Sequence, residues 1–119
     1  MEFNEFREAI KKRASTEDNW DFGVEQCCNE MIALFSADID KTIRFLDVCT
    51  VDEFLWMSEV FDRVTEETCS KEFITALHKT ADKYAEIIKD YSIPYVIELC
   101  EGILDYKLWE REEKMKGNL

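Results

Sequence analysis

The chain has 119 residues, of which 46% are hydrophobic and 35% charged, and its formal net charge is -12. That size and balance fit one globular domain with a core of its own and exclude a disordered chain; no apolar run approaches the ~20 residues of a membrane span, and the start carries acids and lacks the apolar segment of a secretory signal. The charge excludes nucleic acid and anionic membrane as natural partners and favours basic ones.

Glycine (three) and proline (one) are scarce, and apolar residues recur at the helical period along the whole chain. The reading is an all-α domain over residues 1–119 with about six helices. The first, about 2–14, carries Phe3, Phe6, Ile10 and Ala14. The second, about 19–35, carries Trp20, Val24, Cys27, Cys28, Met31, Leu34 and Phe35. Ser36 is the expected N-cap of a third, about 37–48, with Ile39, Ile43 and Leu46. Thr50 and Glu53 form a capping box that opens the fourth, about 50–67. Ser70 caps the fifth, about 71–90, with Phe73, Leu77, Ala81, Tyr84 and Ile88 inward. Ser92 and Pro94 open the sixth, about 93–114, with Val96, Cys100, Ile103, Leu104 and Leu108 inward; residues 115–119 are expected to fray. Short connections predict antiparallel neighbours, hence three successive helix hairpins. They would stack as a short HEAT-like array or close into a compact bundle.

The five cysteines are odd in number and two of them, Cys27 and Cys28, are adjacent. That is a poor disulfide framework, so the expectation is free thiols in a reducing, cytoplasmic compartment. There is no CxxC pair and a single histidine, His78, so neither a zinc site nor a Ser/His/Asp or Cys/His catalyst is expected, and no cofactor. Carboxylate pairs at i, i+3 do occur: Glu59/Asp62, Glu98/Glu101 and Glu110/Glu113. Such pairs on facing helices can hold magnesium, which leaves a metal-dependent nucleotide hydrolase as a minor alternative.

Charge is uneven along the chain. Residues 16–35 sum to -5, residues 50–67 to -5 and residues 93–115 to -3, while the first, third and fifth helices lie between +1 and -1. In stacked hairpins, alternate helices share a layer, so the acid is expected on one face. Within that acid, Trp56 is out of place. On a helical wheel Phe54, Met57, Phe61 and Val64 form the core stripe of the fourth helix, and Trp56 falls nearly opposite, beside Asp52, Glu59 and Arg63. Leaving an indole in water forgoes roughly 2–3 kcal/mol of burial. Either a neighbouring helix or a partner covers it.

Residues 43–88, IRFLDVCTVDEFLWMSEVFDRVTEETCSKEFITALHKTADKYAEII, resemble small all-helical immunity proteins of bacterial polymorphic toxin and contact-dependent growth inhibition systems. The resemblance rests on Cys49, Thr50, Asp52, Glu53, Phe54, Trp56, Ser58, Glu59, Phe61 and Asp62, then on Thr68, Ser70, Lys71, Glu72, Phe73 and Ile74, with Lys83 and Tyr84. It implies a protein that binds a cognate toxin domain and blocks it. The toxins are often basic nucleases, so an acidic helical face is a physical counterpart. The expected partner-binding residues are Asp52, Trp56, Glu59, Asp62 and Glu66, with Asp18, Asp21 and Glu25 at the start of the second helix. The alternative is an acidic helical adaptor or regulator for another basic partner. The oligomeric state stays open.

Overall fold

The computed structural model describes residues 2–117, and among these every regular element is helical. The helices are α1 (Asn4–Ala14), α2 (Asp21–Ala37), α3 (Ile39–Val48), α4 (Val51–Met57), α5 (Phe61–Thr68), α6 (Lys71–Lys83), α7 (Ala85–Ile88) and α8 (Ile93–Gly117). A 3-10 turn, Ser58–Val60, joins α4 to α5.

Two of the expected helices are broken. The segment 50–67 is one helix by periodicity, but the Ser58 hydroxyl donates to the carbonyl of Leu55 and competes with the helical ladder. The 3-10 turn follows, and Val60 has φ -120° and ψ 6°, outside the α region. The segment 71–90 breaks at Tyr84, whose phenol donates to the carbonyl of Cys49 at 2.6 Å. The capping box holds: the Thr50 hydroxyl accepts from the Glu53 amide at 3.1 Å, and the Glu53 carboxylate accepts from the Thr50 amide at 2.9 Å. Ser70 accepts from the Phe73 amide at 3.1 Å. Ser36 is not the cap of α3. It lies inside α2, and Asp38 takes the role by accepting from the Lys41 amide at 3.2 Å. Met115 to Gly117, expected to fray, continue α8; Asn118 and Leu119 lie outside the described residues.

The core is aromatic. Phe6, Phe35, Phe45, Phe54, Phe61 and Phe73 are buried, and Phe6 meets Phe35 and Phe45 edge-on at 5.1 and 5.4 Å between ring centroids. Phe45, Thr42 and Leu46 are the buried side of α3, in place of the expected Ile39 and Ile43, which are partly buried. Trp20 was expected inside. It is 57% exposed, and its indole lies across Gly23, where a Cβ would fall 2.2 Å from the ring. Ala14 is likewise exposed, and Arg13 occupies the buried position of that turn.

Packing departs from three simple hairpins. α1 packs on α2, and α6 on α8, as adjacent pairs should. The middle pair does not form: α3 packs chiefly on α6, α4 on α1, and α5 between α2 and α8. Three donors from α6 and its end explain the exchange. Thr80 donates to the Leu46 carbonyl at 3.0 Å, Lys83 to that of Asp47 at 3.3 Å, and Tyr84 to that of Cys49. Together they satisfy the carbonyls that the last turn of α3 leaves open. The result is a row α2–α5–α8, each helix of which is net acidic.

Cys69 ends α5 in the left-handed region at φ 48°, the one non-glycine residue with positive φ among those described. A β-carbon is strained there. Cys69→Gly should therefore stabilise the fold by roughly 0.5–1 kcal/mol, read as a higher urea midpoint at unchanged slope.

Candidate functional site

The local chemistry around Trp56 starts on α1. Phe6, Ile10 and Arg13 follow one another at i, i+4 and i+7 and are all buried, so a guanidinium stands where the stripe asks for a hydrophobe. Arg13 is 4% exposed. Its Cζ lies 5.0 Å from the centroid of the Trp56 ring, a cation–π contact. Its Nη2 donates to Glu59 Oε2 at 2.9 Å and to Asp18 Oδ1 at 3.1 Å. Its Nε stands 2.8 Å from Glu59 Oε1 as a charge contact without hydrogen-bond geometry, and Nη1 is buried without a protein acceptor. The hydrogen bond to Glu59 raises the Arg13 pKa against the opposing effect of burial, so the charge is held firmly.

Trp56 is thus covered in part from within the fold. It is partly buried, packed against the core, and roofed by Arg13. Trp56, Glu59, Asp18 and Asp52 border one open hollow of about 660 Å³, with Leu55, Tyr91 and Val96 as apolar and aromatic wall. Three carboxylates face a single guanidinium there, so the recess favours a cation. An aromatic wall beside carboxylates suits a lysine or arginine side chain.

The other expected residues do not join this hollow. Asp62 is partly buried on α5. Glu66 is exposed and borders a separate hollow against α8. Asp21 and Glu25 are exposed at the start of α2, where Phe22 is 70% exposed. The 3-10 turn is the reason. It changes the rotation between α4 and α5, so residues that share a face on one continuous wheel are divided between two hollows.

The cations of α1 engage part of the acid. Arg7 pairs with Glu53 at 3.2 Å, Lys12 with Glu30 at 3.1 Å and Arg13 with Glu59. Each carboxylate pair singled out as a metal site has one member engaged by another side chain: Glu59 by Arg13, Glu101 by the His78 ring at 2.7 Å, and Glu113 by Lys116 at 3.7 Å. Among the described residues, no group of three or more His, Cys, Asp or Glu is arranged to hold a metal ion.

The residues that periodicity missed lie on α8. Tyr95, Leu99, Tyr106 and Trp109 are exposed on the side away from the core. Their 4-, 7- and 3-residue spacing is legible in the sequence, but it runs beside a second apolar stripe on the same helix. No family model matches the chain, and comparison with curated proteins and with solved structures gives no significant match.

Burial also determines the thiols. It pushes the Cys49 thiol up to about 11, with Glu53 adding to the shift, and it raises Cys100 as well. Both are protonated at neutral pH and shielded; Cys27 and Cys28 are buried too, and Cys69 is partly exposed. In the native state an aromatic disulfide reagent should therefore react quickly at Cys69 alone, and Cys69→Ser should remove that phase. Glu59→Gln should lower stability by about 1–2 kcal/mol, because it removes the main partner of a buried charge. Asp18→Asn, whose side chain is 83% exposed, should change it by less than about 0.5 kcal/mol. Urea denaturation of both variants checks the contrast.

Proposed function

We propose that this chain is an immunity protein, which binds a cognate basic toxin domain one-to-one and blocks it in the bacterial cytoplasm. The observation that carries the reading is the row α2–α5–α8. Helices α2, α5 and α8, each net acidic, lie side by side, and exposed aromatic residues border them: Trp20 and Phe22 at one end, Tyr95 and Tyr106 at the other. A protein interface needs both ingredients. Opposite charge accelerates encounter and selects the partner, while desolvated aromatics slow dissociation. The recess at Trp56 adds a place for one basic side chain, with Asp52 and Asp18 on its rim.

The resemblance at residues 43–88 directs this general reading towards toxins. Part of it has a structural meaning: Thr50 and Glu53 form a cap, Ser70 forms another, and Lys83 and Tyr84 hold the end of α3. Trp56 and Asp52 are matching residues at the surface hollow. The engagement of one member of each carboxylate pair by a neighbouring side chain favours binding over metal-assisted hydrolysis. The same surface would serve an acidic adaptor for another basic protein, and the test separates the two.

The test is co-expression with the C-terminal segment encoded by the open reading frame immediately upstream. The expected result is a one-to-one complex, cell survival only with this chain present, and a dissociation constant that rises steeply with salt. Trp56→Ala should weaken the complex by more than about 1 kcal/mol. A harmless segment that does not bind overturns the immunity reading and leaves the acidic row to a different basic partner.

A further inference from the structure

Helix α8 is apolar on two opposite faces. Ile93, Ile97, Cys100 and Leu104 turn inward and are buried. Tyr95, Leu99, Tyr106 and Trp109 turn outward and are 67%, 45%, 58% and 54% exposed. At ~100° per residue, these four and Gly102 fall within an arc of about 80° opposite the buried stripe. A surface helix with one core stripe should be polar on its other side. Here the outer side has the alternating four- and three-residue spacing by which one helix receives another.

Gly102 distinguishes this stripe from scattered aromatics. Glycine inside a helix is destabilising relative to alanine. Nothing within the fold requires it, since a Cβ built there meets no atom within 4 Å. It leaves a gap between Leu99 and Tyr106, over a hollow of about 580 Å³ whose other bank carries Glu66 of α5. A gap in a row of bulky side chains admits a large residue from a second helix.

Charge selects the occupant. Over the length of the stripe, Tyr95 to Trp109, the helix carries Glu98, Glu101 and Asp105 against one cation, Lys107, which borders the hollow together with Glu66 and Glu98. A second copy of this chain would bring another formal charge of -12 towards them, which opposes self-association. A basic segment meets complementary charge instead.

We infer that the outer stripe of α8 seats a basic amphipathic helix of the partner protein. Tyr95, Leu99, Tyr106 and Trp109 pack its apolar side, Gly102 receives one bulky residue, and Glu66 and Glu98 pair with its lysines or arginines. This rests on the reading that the partner is a basic protein.

The test uses the full chain and two synthetic heptad peptides of about 21 residues. Both carry leucine at the apolar positions, and they carry lysine or glutamate elsewhere. The lysine peptide should bind one-to-one by calorimetry and shift the backbone resonances of α8; the glutamate peptide should not bind. Trp109→Ala should weaken binding about tenfold, while Ile87→Ala, at an exposed position of α7, leaves it unchanged. Gly102→Lys should raise the melting temperature, because lysine is the better helix former, and should abolish binding by filling the gap with a like charge. The inference is overturned if neither peptide binds, if both bind alike, or if Trp109→Ala and Gly102→Lys leave the affinity unchanged. A free chain that sediments as a dimer and is split by Trp109→Ala assigns the stripe to a second copy and overturns it too. If the upstream-encoded segment binds with undiminished affinity to both variants, this inference fails while the immunity reading stands. If the peptide binds at the stripe but the segment does not bind, the reverse holds.

Discussion

The last turn of α3 leaves carbonyls that its own helix cannot bond, and the C-terminal half of α6 supplies the donors. Thr80, Lys83 and Tyr84 reach the carbonyls of Leu46, Asp47 and Cys49. Backbone acceptors at a helix end need partners, and here the partners come from a helix three connections further along the chain. Once α3 is held against α6, the segment that follows it cannot fold back as its hairpin mate. It runs as α4 along α1, turns at Ser58–Val60, and continues as α5 between α2 and α8. The acidic row is a consequence of that path.

A second constraint is electrostatic. α1 inserts Arg13 into a position that geometry reserves for the core, and the fold surrounds it with Glu59, Asp18 and the face of Trp56. A buried guanidinium is tolerable only with such company. The same contacts give Trp56 a roof, so the residue that looked exposed on a wheel is half inside. The α1 cations also draw Glu53 and Glu30 into ion pairs. What remains free on α2, α5 and α8 is therefore a selected part of the acid. The surface chemistry depends on which carboxylates the fold has already engaged.

α8 joins these two themes. Its inner stripe closes the core against α5 and α6, and among the described residues none beyond Leu104 is buried. Its outer stripe adds an aromatic edge to the acidic row. Two apolar stripes on one helix confuse periodic analysis, because each alone is a sound amphipathic pattern and their sum has no clear polar side. Val96, Ile103 and Leu108, read as core, lie on the flanks and are partly buried, while Ile93 and Ile97 are the residues that the core takes in.

The sequence by itself determined what is local. The all-α class, the capping box at Thr50 and Glu53, the cap at Ser70, the buried faces of α5 and α6, and the concentration of acid in three segments all follow from interactions within a few turns. The tertiary structure decided what depends on groups far apart in the chain. Which helix ends α3, that Arg13 covers Trp56, and that Glu53 and Glu59 are engaged by α1 are settled by contacts across 34 to 46 residues. A hydrogen-bond acceptor or a charge is satisfied by whatever the fold brings near it, and periodicity along one helix carries no record of that neighbour.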